Sequence, residues 1–135
     1  MSGALQGVKV LEIGSYVTGP YAGMLLGDLG AEVVKVENKP YGDPFRRWGR
    51  TMLNPTFCSL NRNKKSITLN LQDNRGQDIF RRLVEVSDCV FNNLRGDLPA
   101  KLGLDYASLG SVKPSIVCCS LSAFGRTGAR AAEPG

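Results

Sequence analysis

The sequence contains no histidine among its 135 residues. Without an imidazole, the chain cannot by itself form a Ser–His or Cys–His pair for nucleophilic catalysis, or a histidine-based metal site. Its four cysteines, Cys58, Cys89, Cys118 and Cys119, lack the Cys-x-x-Cys spacing of zinc and redox motifs. Because the last three lie in apolar, strand-like runs, we expect reduced and buried thiols and no bound metal, with a zinc site or disulfide framework as the alternatives.

Long apolar runs are also missing from the sequence. No stretch approaches the roughly 20 residues that a membrane-spanning helix requires. Residues 1–6 do not form the basic and apolar leader of a secreted protein. We therefore expect a cytoplasmic protein without a membrane partner, and the length allows one domain with a hydrophobic core.

Positive charge exceeds negative charge, which gives a formal net charge of +5. Much of the excess lies in one stretch, whose basic residues are Arg46, Arg47, Arg50, Arg62, Lys64 and Lys65. Such a cluster can be solvated charge, or it can bind a phosphorylated small molecule or a nucleic acid. No helix-turn-helix, zinc-finger or RNA-recognition motif accompanies it, so we expect no nucleic-acid partner.

A strand, a helix and a second strand are predicted near the start of the chain. Val8–Ile13 is a short, β-branched run closed by Gly14, which is typical of a buried parallel strand. Thr18 is the predicted N-cap of a helix with Pro20 in its first turn. The helix face predicted to pack on the sheet comprises Tyr21, Met24, Leu25 and Leu29. Glu32–Glu37 is the predicted second strand.

Strands and helices continue to alternate after this unit. We expect an irregular packed segment with one helical turn over residues 44–62, holding Trp48, Met52, Leu53, Phe57 and Leu60. A half-buried strand over Lys65–Leu71 and a helix follow, the helix capped by Asp73 and packed through Ile79, Phe80, Leu83 and Val84. Later come strands over Cys89–Phe91 and Ser115–Leu121, helical turns over 97–101 and 105–110, and a tail without period over 122–135. The pattern predicts an α/β fold with a Rossmann-like, open and mostly parallel sheet and helices on both faces.

The turn after the first strand is the predicted ligand site, since backbone N–H groups and a helix N-terminus meet there. A dinucleotide site needs a second glycine where this chain has Tyr16. A site for S-adenosylmethionine favours glycines near Tyr16 and Thr18. Glu37 could hold a ribose in either case, but both cofactors are disfavoured by the bulk of the turn.

Nine sequence blocks indicate a third ligand. In chain order they are LQGVKVL (5–11), GP (19–20), LGAEVVKVE (29–37), GD (42–43), NRNKKSITLNL (61–71), DCVFNN (88–93), LGL (102–104), PSIV (114–117) and SLSAFG (120–125) with Gly128. Together they resemble the class III CoA-transferases, the CaiB–BaiF family, which includes formyl-CoA transferase and α-methylacyl-CoA racemase. The resemblance covers almost the whole chain.

The resemblance implies that residues 1–135 are the N-terminal part of a longer enzyme. This part belongs to the Rossmann-like large domain that binds CoA, and two full-length chains interlock as a homodimer. The family's CoA contacts fall on Val17, Thr18, Asn38, Leu69, Asn70, Leu71, Gln72, Asn93, Leu94, Arg95 and Lys101. Leu69 and Leu71 could hold the adenine, while Arg95 and Lys101 could bind phosphates. Alternatively, the leucines are plain core and Lys101 is a solvated charge.

Two departures from the family pattern limit the assignment. Asn38 stands where some transferases have an arginine for the CoA phosphates, a contact that Lys39 could partly replace. The family's catalytic aspartate lies beyond residue 135, as does the His/Asp pair of the racemases, so no catalytic residue is assigned here. The resemblance therefore implies the CoA-binding portion of a transferase that uses acyl-CoA, a carboxylic acid and an aspartyl-CoA intermediate. A racemase, a non-catalytic fragment and a methyltransferase domain remain the alternatives.

Overall fold

The computed structural model describes residues 3–49 and 54–134. The strands are β1 (Lys9–Ile13), β2 (Glu32–Glu37), β3 (Lys64–Thr68), β4 (Cys89–Asn92) and β5 (Val117–Ser120). The helices are α1 (Thr18–Asp28), α2 (Pro55–Leu60), α3 (Asn74–Glu85), α4 (Leu98–Lys101) and α5 (Tyr106–Leu109), with a 3₁₀ helix over Pro44–Arg47.

The five strands of the described residues are parallel and form one sheet in the order β3-β2-β1-β4-β5. Alternate residues of each strand face opposite sides. On one side, Leu11 and Val90 pack with Phe80 of α3, and on the other Val10 and Val33 pack beneath α1. The predicted Rossmann-like open sheet with helices on both faces is confirmed.

The sheet order reverses between β1 and β4, because the chain builds strands outward from β1 first on one side and then on the other. In open parallel sheets, ligands bind in the crevice outside the carboxyl ends of the strands at this reversal. The residues that follow β1 and β4 therefore define the edge of the molecule that matters for binding.

Helix α1 packs on the sheet through a different face from the predicted one. Met24 is buried as expected, but Tyr21, Leu25 and Leu29 are each more than 40% exposed, so those three assignments were wrong. The buried face is made instead by Gly19, Pro20, Gly23 and Met24. Small residues let the helix backbone approach the strands closely, and this turns the larger side chains outward. Val17 is the N-cap rather than Thr18, which is the first helical residue.

The segment over residues 44–62 is more regular than predicted. It holds the 3₁₀ helix, capped by Asp43, and α2, whose N-cap Asn54 accepts hydrogen bonds from the N–H groups of Thr56 and Phe57. Arg50, Met52 and Leu53, named in the sequence predictions, lie outside the described residues. Strand β3 ends at Thr68, so the predicted strand over residues 65–71 was too long. Leu69 and Leu71 nevertheless reach the core from the segment that follows.

The later elements agree with the sequence predictions, with local exceptions. Asp73 caps α3 through the N–H of Arg75, and Phe80 and Val84 are fully buried. Ile79, predicted to share that face, is exposed. The short helices α4 and α5 confirm the two predicted turns.

Strand β5 lies at an edge of the sheet, so its residues are less buried than the apolar run predicted. Val117 is 60% exposed.

The four cysteines are free, but Cys58 and Cys119 are exposed and the other two are half-buried, so the prediction of buried thiols was wrong for two of them. Burial raises the pKa of the Cys89 thiol to about 11, which keeps it protonated at neutral pH. Within the described residues, no helix is long and apolar enough to cross a membrane.

Candidate functional site

A cavity of about 640 Å³ opens at the carboxyl ends of β1 and β4. We call it the first-turn cavity, because the turn after β1 forms one wall. It is lined by residues 15–18, 93–96, 121–124, 133 and 134. Its position at the reversal of strand order makes it the expected binding crevice of this fold.

The side chain of Asn93 holds the first turn in place. Its Oδ1 accepts a hydrogen bond from the N–H of Ser15 at 2.9 Å, and its Nδ2 donates to the Ser15 carbonyl at 3.0 Å and to Thr18 Oγ1 at 2.9 Å. Gly19 permits this approach, because a Cβ there would lie 2.7 Å from Asn93 Oδ1. Asn93 therefore joins the ends of β1 and β4, a structural role that the sequence did not reveal.

Tyr16 occupies the left-handed region, with φ of 62°. A bulky residue rarely adopts this conformation without support. Here the N–H of Tyr16 donates to Asp43 Oδ1 at 3.2 Å, and the ring packs against Phe45 and Trp48 with centroid separations of 6.1 and 5.9 Å. Tyr16 thus bends the turn where a dinucleotide site would use glycine.

A second, largely apolar cavity of about 250 Å³ adjoins the first. We call it the leucine cavity. Its lining comprises Ile13, Val36, Glu37, Asn38, Leu69, Leu71, Gln72, Leu94, Leu98 and Leu102. Leu94 lines both cavities, so they meet at this side chain.

The structure brings most of the predicted site residues to this edge. Val17, Thr18, Asn93, Leu94 and Arg95 line the first-turn cavity, while Asn38, Leu69, Leu71, Gln72 and again Leu94 line the leucine cavity. Asn70 lines a third cavity of about 370 Å³, next to Lys39 and Arg75. Lys101 lines none of these three. Leu69 and Leu71 are both core residues and cavity walls, so the two interpretations of these leucines are compatible.

Arg95 and Lys101 share one carboxylate. Arg95 Nε lies 2.5 Å from Asp97 Oδ1, and Lys101 Nζ lies 2.7 Å from Asp97 Oδ2. Hydrogen bonds from Arg95 and then from Lys101 hold the pKa of Asp97 well below its usual range. The three side chains are on the surface, so solvent weakens these pairs. A phosphate that uses either cation has to compete with Asp97, a partner that the sequence predictions did not include.

Both carboxylate oxygens of Glu37 are occupied by protein donors. Oε1 accepts from Arg46 Nη2 at 2.5 Å and from Ser66 Oγ at 2.7 Å. Oε2 accepts from Arg46 Nε and from the N–H of Asp43, each at 2.8 Å. Burial alone would raise the pKa of Glu37, but these hydrogen bonds outweigh it and lower the pKa to about 2. Glu37 therefore fixes the loop after β2 and has no oxygen left for a ribose.

The lowered pKa of Glu37 predicts a loss of stability in acid. Its folded pKa lies below the usual value of 4.5, so its contribution is present above about pH 5 and disappears as the pH falls toward 2. We expect this residue to account for a decrease of about 2 kcal/mol in the free energy of unfolding between pH 6 and pH 3. Urea denaturation measures it, with Glu37→Gln as the comparison. The variant should be less stable at pH 6 and less sensitive to pH, whereas equal pH slopes would exclude Glu37 as the responsible group.

Four charged side chains are buried beneath the first turn. We call Glu12, Lys35, Asp43 and Lys64 the ion cluster, and each side chain is at most 2% exposed. The sequence indicated it, because Glu12 and Lys35 interrupt the apolar interiors of two strands and face each other in the β1–β2 register. Buried charges of this kind are expected to be paired.

Comparison with characterised proteins places these features in a family. The chain matches the family described as CoA-transferase family III over residues 5–135. It is 43% identical over 128 residues to the succinyl-CoA:glutarate CoA-transferase of Homo sapiens, covering 92% of this chain and 29% of that protein. It is 42% identical over 130 residues to the succinyl-CoA–D-citramalate CoA-transferase of Chloroflexus aurantiacus, covering 92% of this chain and 32% of that protein. The chain thus spans less than a third of the length of these two relatives.

Solved structures agree with the sequence comparison. A CaiB/BaiF family protein from Brucella suis is 37% identical with a TM-score of 0.88, and the match covers 100% of this chain and 37% of that one. Rv3272 from M. tuberculosis is also 37% identical, with a TM-score of 0.91 over 99% of this chain and 38% of that one. The resemblance inferred from the sequence blocks is confirmed, and the chain belongs to CoA-transferase family III.

Proposed function

We propose that this chain forms the CoA-binding part of a transferase that moves CoA from an acyl-CoA donor to a carboxylic acid. The observation that carries the proposal is the meeting of two cavities at Leu94, at the ligand edge of a parallel sheet. One cavity is apolar and the other is bordered by the N-terminus of α1. CoA combines an adenine ring with phosphates, so it needs both environments.

The leucine cavity suits the adenine ring. Leu69, Leu71 and Leu94 offer apolar contact to its faces, and Asn38 and Gln72 offer amide groups to its polar edge. Asn38 lines this cavity and is exposed, and the next residue, Lys39, is exposed and lines the third cavity. A lysine there attracts a phosphate as a point charge, without the paired contacts that an arginine makes.

The first-turn cavity suits the more distal part of CoA. The N-terminus of α1, at Val17 and Thr18, directs backbone N–H groups and a positive dipole end toward an anion. Arg95 adds a cation on the same cavity wall. We propose that Lys101 acts through Asp97, by sharing the carboxylate that otherwise neutralises Arg95.

The proposed transfer runs through an aspartate that family members carry beyond residue 135. Its carboxylate attacks the thioester carbonyl and the C–S bond breaks. CoA leaves as a thiolate, and an acyl-aspartyl anhydride remains. The thiolate then attacks the aspartyl carbonyl, forms aspartyl-CoA and releases the donor acid. The acceptor carboxylate then attacks aspartyl-CoA and forms a second anhydride with release of the thiolate. The thiolate attacks the acceptor carbonyl of this anhydride, which gives the new acyl-CoA and frees the aspartate. In this scheme the present chain binds and orients CoA, and contributes no catalytic group.

We further propose that the full-length enzyme is an intertwined, cytoplasmic homodimer. The outward face of α1 supports this proposal. Tyr21, Leu25 and Leu29 repeat every four residues and are all exposed, so they form an apolar face that a further part of the enzyme could cover.

The relatives described above are CoA-transferases, which favours a transferase over the racemase alternative. The occupied carboxylate of Glu37 disfavours a methyltransferase site, which would use it for the ribose.

Titration calorimetry tests the proposed ligand. We expect CoA to bind more tightly than S-adenosylmethionine or NAD, and Asn38→Arg to tighten CoA binding about tenfold, because it restores a charge-assisted phosphate contact. Ser111→Arg is the matched control. It adds the same charge at an exposed residue of the connection into β5, at the opposite edge of the sheet, and should leave the CoA affinity unchanged. Tighter binding of either competitor, or equal gains for both variants, would contradict the proposal.

A further inference from the structure

The ion cluster connects the middle of the sheet to the first turn. Lys35 Nζ lies 3.0 Å from Glu12 Oε1 and 3.0 Å from Asp43 Oδ2, and it donates a hydrogen bond of 2.7 Å to the Gly14 carbonyl. A single buried ammonium group therefore joins β2, the end of β1 and the loop after β2. Two of these contacts, to Glu12 and Gly14, are hydrogen bonds, and the contact with Asp43 Oδ2 is an ion pair.

Asp43 continues this connection to the outer part of the turn. Its Oδ1 accepts from the N–H of Phe45 at 2.9 Å and from the N–H of Tyr16 at 3.2 Å. Its own N–H donates to Glu37. Lys35 and Asp43 together thus hold the carbonyl of Gly14 and the amide of Tyr16, the two groups on either side of Ser15, in a turn where Tyr16 itself has a positive φ.

Lys64 balances the other side of the cluster. Its Nζ lies 2.7 Å from Glu12 Oε2, and it donates to the carbonyl of Pro20 in α1 and to Asn61 Oδ1. Within the described residues, Glu12 Oε2 and Asp43 Oδ2 receive no well-directed hydrogen bond, so the nearby lysine charges are their compensation. Two carboxylates and two ammonium groups leave the cluster neutral.

Stability alone does not explain this arrangement. Removing four side chains from water carries a large desolvation cost, and apolar residues of similar volume often serve a core equally well. What apolar residues cannot do is hold a carbonyl and an amide in fixed directions. The contacts of Lys35 and Asp43 end on those two groups of the first turn.

We propose that Lys35 is a positioning residue for the first-turn cavity. Acting with Asp43, it fixes the Gly14 carbonyl inward and the Tyr16 amide away from the cavity, and so sets the direction of the free N–H groups at the start of α1. Lys35 is buried and does not line the cavity, so it acts without touching the ligand. The identity of the ligand rests on the proposed function. The role of Lys35 in the shape of the turn is independent of it.

The single tryptophan of the chain reports on this turn without any ligand. Trp48 packs on Tyr16 and Phe45, whose N–H groups are both held by Asp43. For Lys35→Met we expect the near-ultraviolet circular dichroism of Trp48 to fall by more than half, and CoA to bind at least tenfold more weakly. Val33→Ala is the matched control, on the same strand and the same side of the sheet. It should lower the urea midpoint while leaving the Trp48 signal and the CoA affinity within twofold of the parent chain.

Asp43→Asn keeps the test decisive if Lys35→Met does not fold. It retains an oxygen for Phe45 and Tyr16 but turns an amide toward Lys35, so the same spectral loss is expected. A parent-like Trp48 signal in the folded lysine or aspartate variant, or an equal loss in Val33→Ala, would overturn the positioning role. If the parent chain does not bind CoA, the proposed function fails, and the Trp48 signal still decides the role of Lys35.

Discussion

Replacing Gly23 by alanine is expected to lower the free energy of unfolding by about 3 kcal/mol. Gly23 lies on the buried face of α1, directly over the carboxylate of Glu12. A Cβ at this position would overlap Glu12 Oε2 and come within 3.2 Å of Lys64 Nζ. Either the helix moves away from the sheet or Glu12 leaves its two lysines, and both responses are unfavourable in a buried site.

Gly27→Ala provides the matched control on the same helix. It lies one turn further along the same face, yet a Cβ there meets nothing closer than 3.8 Å. Because alanine is a better helix former than glycine, we expect this variant to be stabilised by up to about 1 kcal/mol. Urea denaturation of the two variants measures the difference. Equal effects would show that the close packing over Glu12 does not constrain α1.

Phe80→Ala is expected to destabilise the chain by about 3–5 kcal/mol, the usual range for truncating a buried aromatic residue. Phe80 has no exposed surface and joins α3 to the core that contains Leu11 and Val90 of the sheet. The cavity left behind would be enclosed by strands and helix, so the surroundings have little freedom to close it.

Ile79 is the natural control for Phe80, because it precedes it on α3 and is 42% exposed. Ile79→Ala should change the free energy of unfolding by no more than about 0.5 kcal/mol. Chemical denaturation distinguishes the two. A loss of comparable size at Ile79 would mean that α3 packs in a different rotation from the one described.

The sheet could be predicted from sequence because β1 and β2 are short runs rich in β-branched and other apolar residues, bounded by turn residues. The run over Glu32–Glu37 has the same bounds in the structure. Helix α1 could not be oriented from the same information. Periodicity assigns large apolar residues to the interior, whereas close approach over Glu12 requires Gly23, and this reverses the buried and exposed faces.

The candidate site shows a similar division. Nine of the eleven residues indicated by family resemblance line the two cavities that meet at Leu94, because the resemblance follows the ends of the strands. Sequence blocks do not report which side chains face one another, so the hydrogen bonds by which Asn93 holds the first turn were not predicted. The competition of Asp97 for Arg95 and Lys101 was missed for the same reason, although all three lie within seven positions of each other.

The two edges of the sheet differ in their chemistry. At the β3 edge, Lys65 is exposed and paired with Glu32 of the neighbouring strand, and charged side chains of this kind discourage a further strand from adding. At the β5 edge, Val117 and Leu121 expose apolar surface. The two edges therefore differ in how they would receive a further strand, since the β3 edge is charged and the β5 edge exposes apolar side chains. A strand that added beside β5 would therefore meet apolar side chains, whereas one that added beside β3 would meet charged ones.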